Sequence, residues 1–202
     1  MTVNYKKITI ELHEGSKDLS SFNCGHKDLN EFLKEDSIKQ KEWMLNSTYL
    51  AIYNEEIVGF FTLSTDKQRI KNLSHEYKEK FKNKVNYKEF PALKIGRLGV
   101  SLRYKNKGIG KHLFKWIINK SIKLSKEMGF RFITIDTYIP SYNFYKKLYC
   151  IDSFNDEKLE KEFNKFKKAQ QNDPPTAYKM TIPLFFDLYK FKNHFQQMDH
   201  DP

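Results

Sequence analysis

The residues best suited to chemistry lie in one run, Lys105-Asn106-Lys107-Gly108-Ile109-Gly110-Lys111. Ile95 to Leu102 before it reads as a buried strand, and an apolar pattern at helical spacing runs from Gly108 to about Met128. A glycine-bearing turn between strand and helix suits an anion. The helix start offers unpaired N–H groups and the positive end of its dipole, and glycine removes the Cβ that would hold a phosphate off. Lys105, Lys107 and Lys111 add positive charge at the same place. The run has no Lys-Ser/Thr pair for a magnesium nucleotide, and no acidic residue follows at dinucleotide spacing. A diphosphate held without metal, of which coenzyme A is the commonest, fits better than ATP or NAD. Glycine pairs also merely end strands, so the reading needs support from the rest of the chain.

That support comes as a resemblance. The run resembles the acyl-CoA site of the GNAT-type N-acetyltransferases, whose diphosphate loop reads Gln/Arg-x-x-Gly-x-Gly/Ala; Lys105 takes the first position and keeps the charge. Upstream, Phe22-Asn23-Cys24-Gly25-His26-Lys27-Asp28-Leu29-Asn30-Glu31-Phe32-Leu33 is similar to the N-terminal signature of one GNAT branch, the tRNA-acetylating toxins of type II toxin–antitoxin systems. Downstream, Ser141, Phe144 and Tyr145 fall on the family's Ala-x-x-Phe-Tyr, while Tyr149-Cys150 replaces the Gly-Phe that usually follows.

The resemblance implies an α/β (α+β) GNAT fold: a mixed central sheet of about six or seven strands, splayed in the middle and flanked by helices. It implies that Leu98 and Val100 bind acetyl-CoA through their main chain on a bulged strand, for which Gly96 and Gly99 are suited. Lys105, Asn106, Lys107, Gly108, Ile109, Gly110 and Lys111 then hold the diphosphate. Tyr145 becomes the general acid for the departing thiolate, since a phenol of pKa about 10 stays protonated at neutral pH. Arg97 falls on an arginine common in the toxin branch, which implies contact with acceptor phosphate or ordering of the site, with a structural ion pair as the equal alternative. Acetyl-CoA is the co-substrate and no metal is required. A general base is not selected: Asp136 and His75 are both available, and an aminoacyl ester's α-amine, partly neutral near pH 7, can do without one. Cys24 has no placed His/Asn partner and reads as a small buried residue, not a nucleophile.

Elements must position these groups. Residues 6–13 alternate as a first strand, and a helix capped by Asp28 with Glu31 in a capping box runs to about Leu45. A hairpin follows at 47–54 and 56–65, turning at Asn54-Glu55, and then a lysine-rich connection over 67–91. The helix from Gly108 buries Ile109, Leu113, Trp116, Ile117, Leu124 and Met128 and stops at Gly129. Residues 130–138 form a fifth strand, Pro140 starts a short helix, and 156–171 form an amphipathic helix that ends before Pro174-Pro175. That helix covers the core or, alternatively, binds a partner. Residues 177–188 give a last strand. One domain over 1–189 with a fraying tail at 190–202 is expected.

The totals set the class. At 202 residues with 39% hydrophobic content, the chain can bury a core, and two distant cysteines indicate neither a disulfide framework nor a zinc site. No apolar run reaches a membrane span and the N-terminal residues lack the apolar core of a signal peptide, so a soluble, cytoplasmic protein is expected. The net charge of +11 is concentrated: residues 67–94 hold nine Lys/Arg against three Glu, and residues 103–126 hold eight Lys/Arg and no acid. A basic field beside the donor loop favours a polyanionic acceptor such as tRNA and repels polyamines. A cognate antitoxin is a further expected partner, a homodimer is allowed, and no membrane is involved. Acetylation of a small amine or a protein amine, or a non-catalytic acyl-CoA-binding module, are the alternatives.

Overall fold

Tyr49-Leu50-Ala51-Ile52-Tyr53 and Val58-Gly59-Phe60-Phe61-Thr62-Leu63 are dense in β-branched and aromatic residues, and they pair as the predicted hairpin. The structure is a computed structural model that describes residues 3–70, 73, 75–82, 85 and 87–191, the side chains of 75, 76, 80 and 82 excepted. Strands β2 (Ser47–Tyr53) and β3 (Glu56–Arg69) are antiparallel, with Tyr49 opposite Phe61 and a bulge at Ala51/Ile52. Asn54 and Glu55 both take positive φ, 49° and 66°, the two-residue geometry that matches strand twist. With β1 (Thr9–Leu12), β4 (Glu89–Val100), β5 (Phe132–Tyr138), β6 (Ile151–Asp152) and β7 (Thr181–Asp187) they form a seven-stranded mixed sheet in the order β1-β2-β3-β4-β5-β7-β6.

Packing divides the chain into two compact units, Met1–Thr65 with Lys94–Lys123 and Asp66–Leu93 with Leu124–Pro202. In the first, α1 (Lys27–Glu31) and α2 (Ser37–Glu42) are joined by a π-helical turn, Phe32–Asp36, where one continuous helix was expected. The Ser37 hydroxyl donates to the Leu33 carbonyl at 2.7 Å, satisfying an acceptor that the wider turn leaves over. Asp28 does not cap this helix: the N-cap is His26, and Asp28 sits in the first turn, favourable to the dipole. The first strand is shorter than 6–13 because Tyr5–Lys7 wind into a 3₁₀ turn, with the Asn4 side chain accepting the Lys6 amide. Helix α4 (Ile109–Met128) ends at Gly129, φ +68°, as predicted. Its buried face is Ile109, Leu113, Phe114, Ile117, Ile118 and Ser121, whereas Met128 is 60% exposed. The helical period drifts against a fixed i, i+3/i+4 count, which moves the last turns off the core.

In the second unit the lysine-rich connection is structured at its middle. Helix α3 (His75–Lys82) places Tyr77 and Phe81, with Leu73, in a cluster with Phe90, Ala92, Phe132 and Phe185. Val85 and Tyr87 are exposed, although the Tyr87 ring meets Phe90 of that cluster edge-on at 6.2 Å. Arg131 forms a two-pronged bond to the fully buried Asp187, at 2.9 and 2.7 Å, while its guanidinium lies over Phe81 and Tyr189 at 4.7 and 4.8 Å. Such a buried charge is tolerated because both carboxylate oxygens are engaged. Short α5 (Tyr142–Lys146), α6 (Asp156–Asn172) and α7 (Pro174–Ala177) complete the unit. Helix α6 buries no residue fully; Phe163 packs edge-on against Tyr142 at 5.1 Å, so it is a partial cover and not a core helix. Among the described residues no helix is long and apolar enough to cross a membrane.

His13 is 2% exposed, and its Nδ1 has no hydrogen-bond partner among the described residues. Burial first, then Lys41, lowers its pKa, against smaller opposing effects of Glu14 and Glu11; burial lowers His112 likewise. The unfolded chain takes up these protons near the ordinary histidine pKa and the folded chain resists them. Stability is therefore full above about pH 6.5 and falls as the pH drops below it. Urea denaturation between pH 7 and 5 is expected to show this decline, with His13→Gln reducing the slope and His112 supplying the remainder.

Candidate active site

The 102–108 loop is built from its flanks inward. After β4, Leu102–Tyr104 form one 3₁₀ turn, the chain reverses at Asn106 (φ +60°) and Gly108 (φ +76°), and α4 begins at Ile109. The first helical amide bond is His112 N to Gly108 O at 3.0 Å, so the amides of Ile109, Gly110 and Lys111 precede the ladder, as at any helix start. Glycine is needed at 108 for its positive φ, and the Tyr5 hydroxyl lies where a Cβ would point. Lys105, Asn106, Gly108 and Lys111 are exposed and Ile109 is buried. Lys107 differs from expectation, because its ammonium folds back to the Arg103 carbonyl at 2.8 Å and lies over the Tyr104 ring at 5.2 Å. It stiffens the turn, leaving Lys105 and Lys111 as the outward cations. A helix start, a left-handed glycine and two open lysines fit the diphosphate of acetyl-CoA.

One anchor was not legible in the sequence. Glu56, at the hairpin turn, accepts from Arg103 Nη1 at 2.9 Å and from the Tyr104 hydroxyl at 3.0 Å. Burial and this carboxylate raise the Tyr104 pKa, so the phenol remains a donor. A single acid in a turn gives no signal of such a contact.

Leu98 and Val100 are half-buried on β4. The two glycines around them are required by packing: a Cβ on Gly99 would lie 2.6 Å from Phe60 Cε1, and one on Gly96 would lie 2.9 Å from Thr62 Oγ1. Phe60 is fully buried, edge-on to Phe22 at 5.6 Å and stacked with Phe32 at 6.3 Å, so its ring has nowhere to retreat. The Arg97 guanidinium lies 3.7 Å over the other aromatic of the signature, Phe32. Cys24 is half-buried and burial raises its pKa, consistent with its reading as structural.

In the second unit, Tyr145 sits on α5, 6% exposed, its ring edge-on to Phe144 at 4.9 Å. Burial, and to a lesser extent Cys150, pushes its pKa far above the usual phenol range. The turn after α5 survives the loss of the family glycine: Tyr149 itself takes φ +64°, and Cys150 N donates to Tyr145 O at 3.2 Å. Tyr149 is 71% exposed, which leaves its ring free of clashes despite that conformation. Asp152 accepts from the Tyr142 hydroxyl and from Lys146, at 2.8 and 2.7 Å, tying α5 to β6. Asp136 is exposed on β5, and the His75 side chain lies outside the described residues. Among the described residues there is no group of three or more His, Cys, Asp or Glu that could hold a metal ion.

The Gly99 contact sets a measurable cost. Gly99→Ala is expected to lose about 1–3 kcal/mol of unfolding free energy, because the new methyl must displace a ring held on two sides. Urea denaturation of the variant beside the wild type checks it.

Residues 17–149 match the family described as Acetyltransferase (GNAT) family, well over half of the chain. No curated protein matches the sequence. Among solved structures, AtaT complexed with acetyl-methionyl-tRNAfMet has a TM-score of 0.74 at 22% identity, with 93% of this chain and 99% of that one covered. A Tyr-to-Phe mutant of KacT has a TM-score of 0.75 at 20% identity, covering 94% and 99%. AtaTR bound with AcCoA gives 0.69 at 20% identity, again covering 94% and 99%. At such identities these structures share the fold, and the family match carries the assignment. The chain belongs to the GNAT acetyltransferase family, whose acyl donor is acetyl-CoA.

Proposed function

We propose that this protein transfers an acetyl group from acetyl-CoA to the α-amino group of an aminoacyl-tRNA in the cytoplasm, acting as a translation-blocking toxin with a cognate antitoxin. The observation that carries the acceptor is charge placement. Lys105, Lys111, Lys115 and Lys123 are exposed on the donor loop and α4, in a segment from 103 to 126 that contains no acid. A field of that sign concentrates a polyanion and repels a cationic amine. The likeness in fold to AtaT, seen complexed with acetyl-methionyl-tRNAfMet, supports the same acceptor.

Bound acetyl-CoA supplies the thioester carbonyl and the thiolate leaving group. The amides at the start of α4, with Lys105 and Lys111, hold its diphosphate, and the main chain of Leu98 and Val100 receives the pantetheine arm. A β4 amide polarises the carbonyl. The substrate amine forms the new C–N bond as the C–S bond breaks. Tyr145 delivers its phenolic proton to the thiolate and recovers one from the amine through solvent. Burial keeps that phenol protonated throughout the neutral range. Arg97, whose guanidinium lies over Phe32, is the residue assigned to an acceptor phosphate.

Labelled acetyl-CoA offered with charged tRNA, deacylated tRNA, spermidine and a peptide amine tests the acceptor. Label is expected on charged tRNA alone, with binding that weakens steeply as salt rises. Turnover on spermidine or peptide without turnover on charged tRNA would overturn this reading. Tyr145→Phe is expected to lower kcat by about 10²–10⁴-fold at unchanged affinity for coenzyme A; an unchanged kcat removes Tyr145 from the mechanism.

A further inference from the structure

The run Phe22–Leu33 carries polar residues that neither the core nor the acetyl transfer explains, and they converge on Asn30. Its Oδ1 accepts the Cys24 amide at 3.0 Å and the Cys24 thiol at 3.2 Å. Its Nδ2 donates to Asn23 Oδ1 at 2.9 Å, and that oxygen also accepts the Gly25 amide at 2.8 Å. The backbone knotted in this way bonds to the next segment: Asn23 O accepts the Leu102 amide at 2.9 Å, where the chain leaves β4 for the donor loop. Gly25 (φ +79°) lets the two segments close, since a Cβ there would lie 3.0 Å from Leu102 Cδ2.

The loop's far end is held from the same side of the sequence. Tyr5, on the 3₁₀ turn before β1, donates its hydroxyl to the Lys107 carbonyl at 2.8 Å and stacks its ring on His112 at 5.4 Å and 15°. Tyr5 is 43% exposed, so no burial requirement places it there. Its partners are the residue before Gly108 and a residue in the first turn of α4.

We propose that Asn30 and Tyr5 are positioning residues for acetyl-CoA, fixing the two ends of the 102–108 segment before the donor arrives. A loop ordered during folding does not have to be ordered on binding, so each brace contributes to donor affinity without touching the donor. Proline and β-sheet pairing, the usual means of stiffening a turn, are absent from 102–108. The inference rests on the family's donor and is independent of the acceptor.

Calorimetric titration with coenzyme A, in the absence of any acceptor, tests it alongside KM and kcat for acetyl-CoA. Tyr5→Phe keeps the ring stack and removes one hydrogen bond; it is expected to weaken coenzyme A about three- to tenfold and raise KM in step, with kcat at saturating donor unchanged. Asn30→Ala removes three bonds and is expected to weaken coenzyme A by about tenfold or more. If Asn30→Ala does not fold, Tyr5→Phe decides. Wild-type affinity in folded Tyr5→Phe, or a fall in kcat at unchanged KM, overturns the proposal.

Discussion

An anion-binding turn has to keep its amides and cations facing outward, so whatever holds it in shape must come from behind. That constraint organises the first unit. Glu56 grips Arg103 and Tyr104 from the hairpin, and Lys107 closes back on Arg103. Phe60 presses against Gly99 in a space that only glycine leaves. None of these contacts uses the Lys105 or Lys111 ammonium. Individually each is a modest contribution, and a surface pair such as Arg103–Glu56 is worth little alone. Their joint effect is a loop with few alternative conformations.

The second unit buries a phenol, and burial holds its pKa above the usual range. Tyr145 is set into the core by the short α5, and the carbonyl of its own residue anchors the following turn through Leu148 and Cys150. Around it, β5 and β7 pair along their full length, Phe132 opposite Asp187 through Tyr138 opposite Thr181. The Arg131–Asp187 pair sits at one end of that ladder under three aromatic rings. An apolar, tightly packed setting raises a phenol's pKa because the phenolate loses its hydration.

Electrostatics separates the two kinds of lysine that composition counts together. Lys107 is consumed within the turn, and Lys120 lies over Tyr49 and Trp116 at 5.4 and 5.5 Å. Lys105, Lys111, Lys115 and Lys123 stand in solvent and set the external field. The acid-free segment thus holds cations of both kinds, and the field of the exposed ones is screened by salt.

Much of this was legible in the sequence. Strand, glycine turn and helix around Lys105–Lys111 declare themselves by hydrophobic period and by glycine placement, because backbone conformation at such sites is local chemistry. The hairpin at Asn54-Glu55, the stop at Gly129 and the amphipathic stretch from Asp156 were readable for the same reason. What the sequence left undecided depends on which distant atoms meet. The π-turn at Phe32–Asp36, the retreat of Met128 from the core, the folding-back of Lys107 and the reach of Glu56 to Tyr104 have no local signature. Tyr149 shows the division most clearly. Its residue type argues against a left-handed turn, yet the turn forms, because Tyr145, Asp152 and the flanking strands fix the ends of a segment too short to take another path. Period and residue type determine what a stretch can become; packing between stretches decides which of its groups are left free to act.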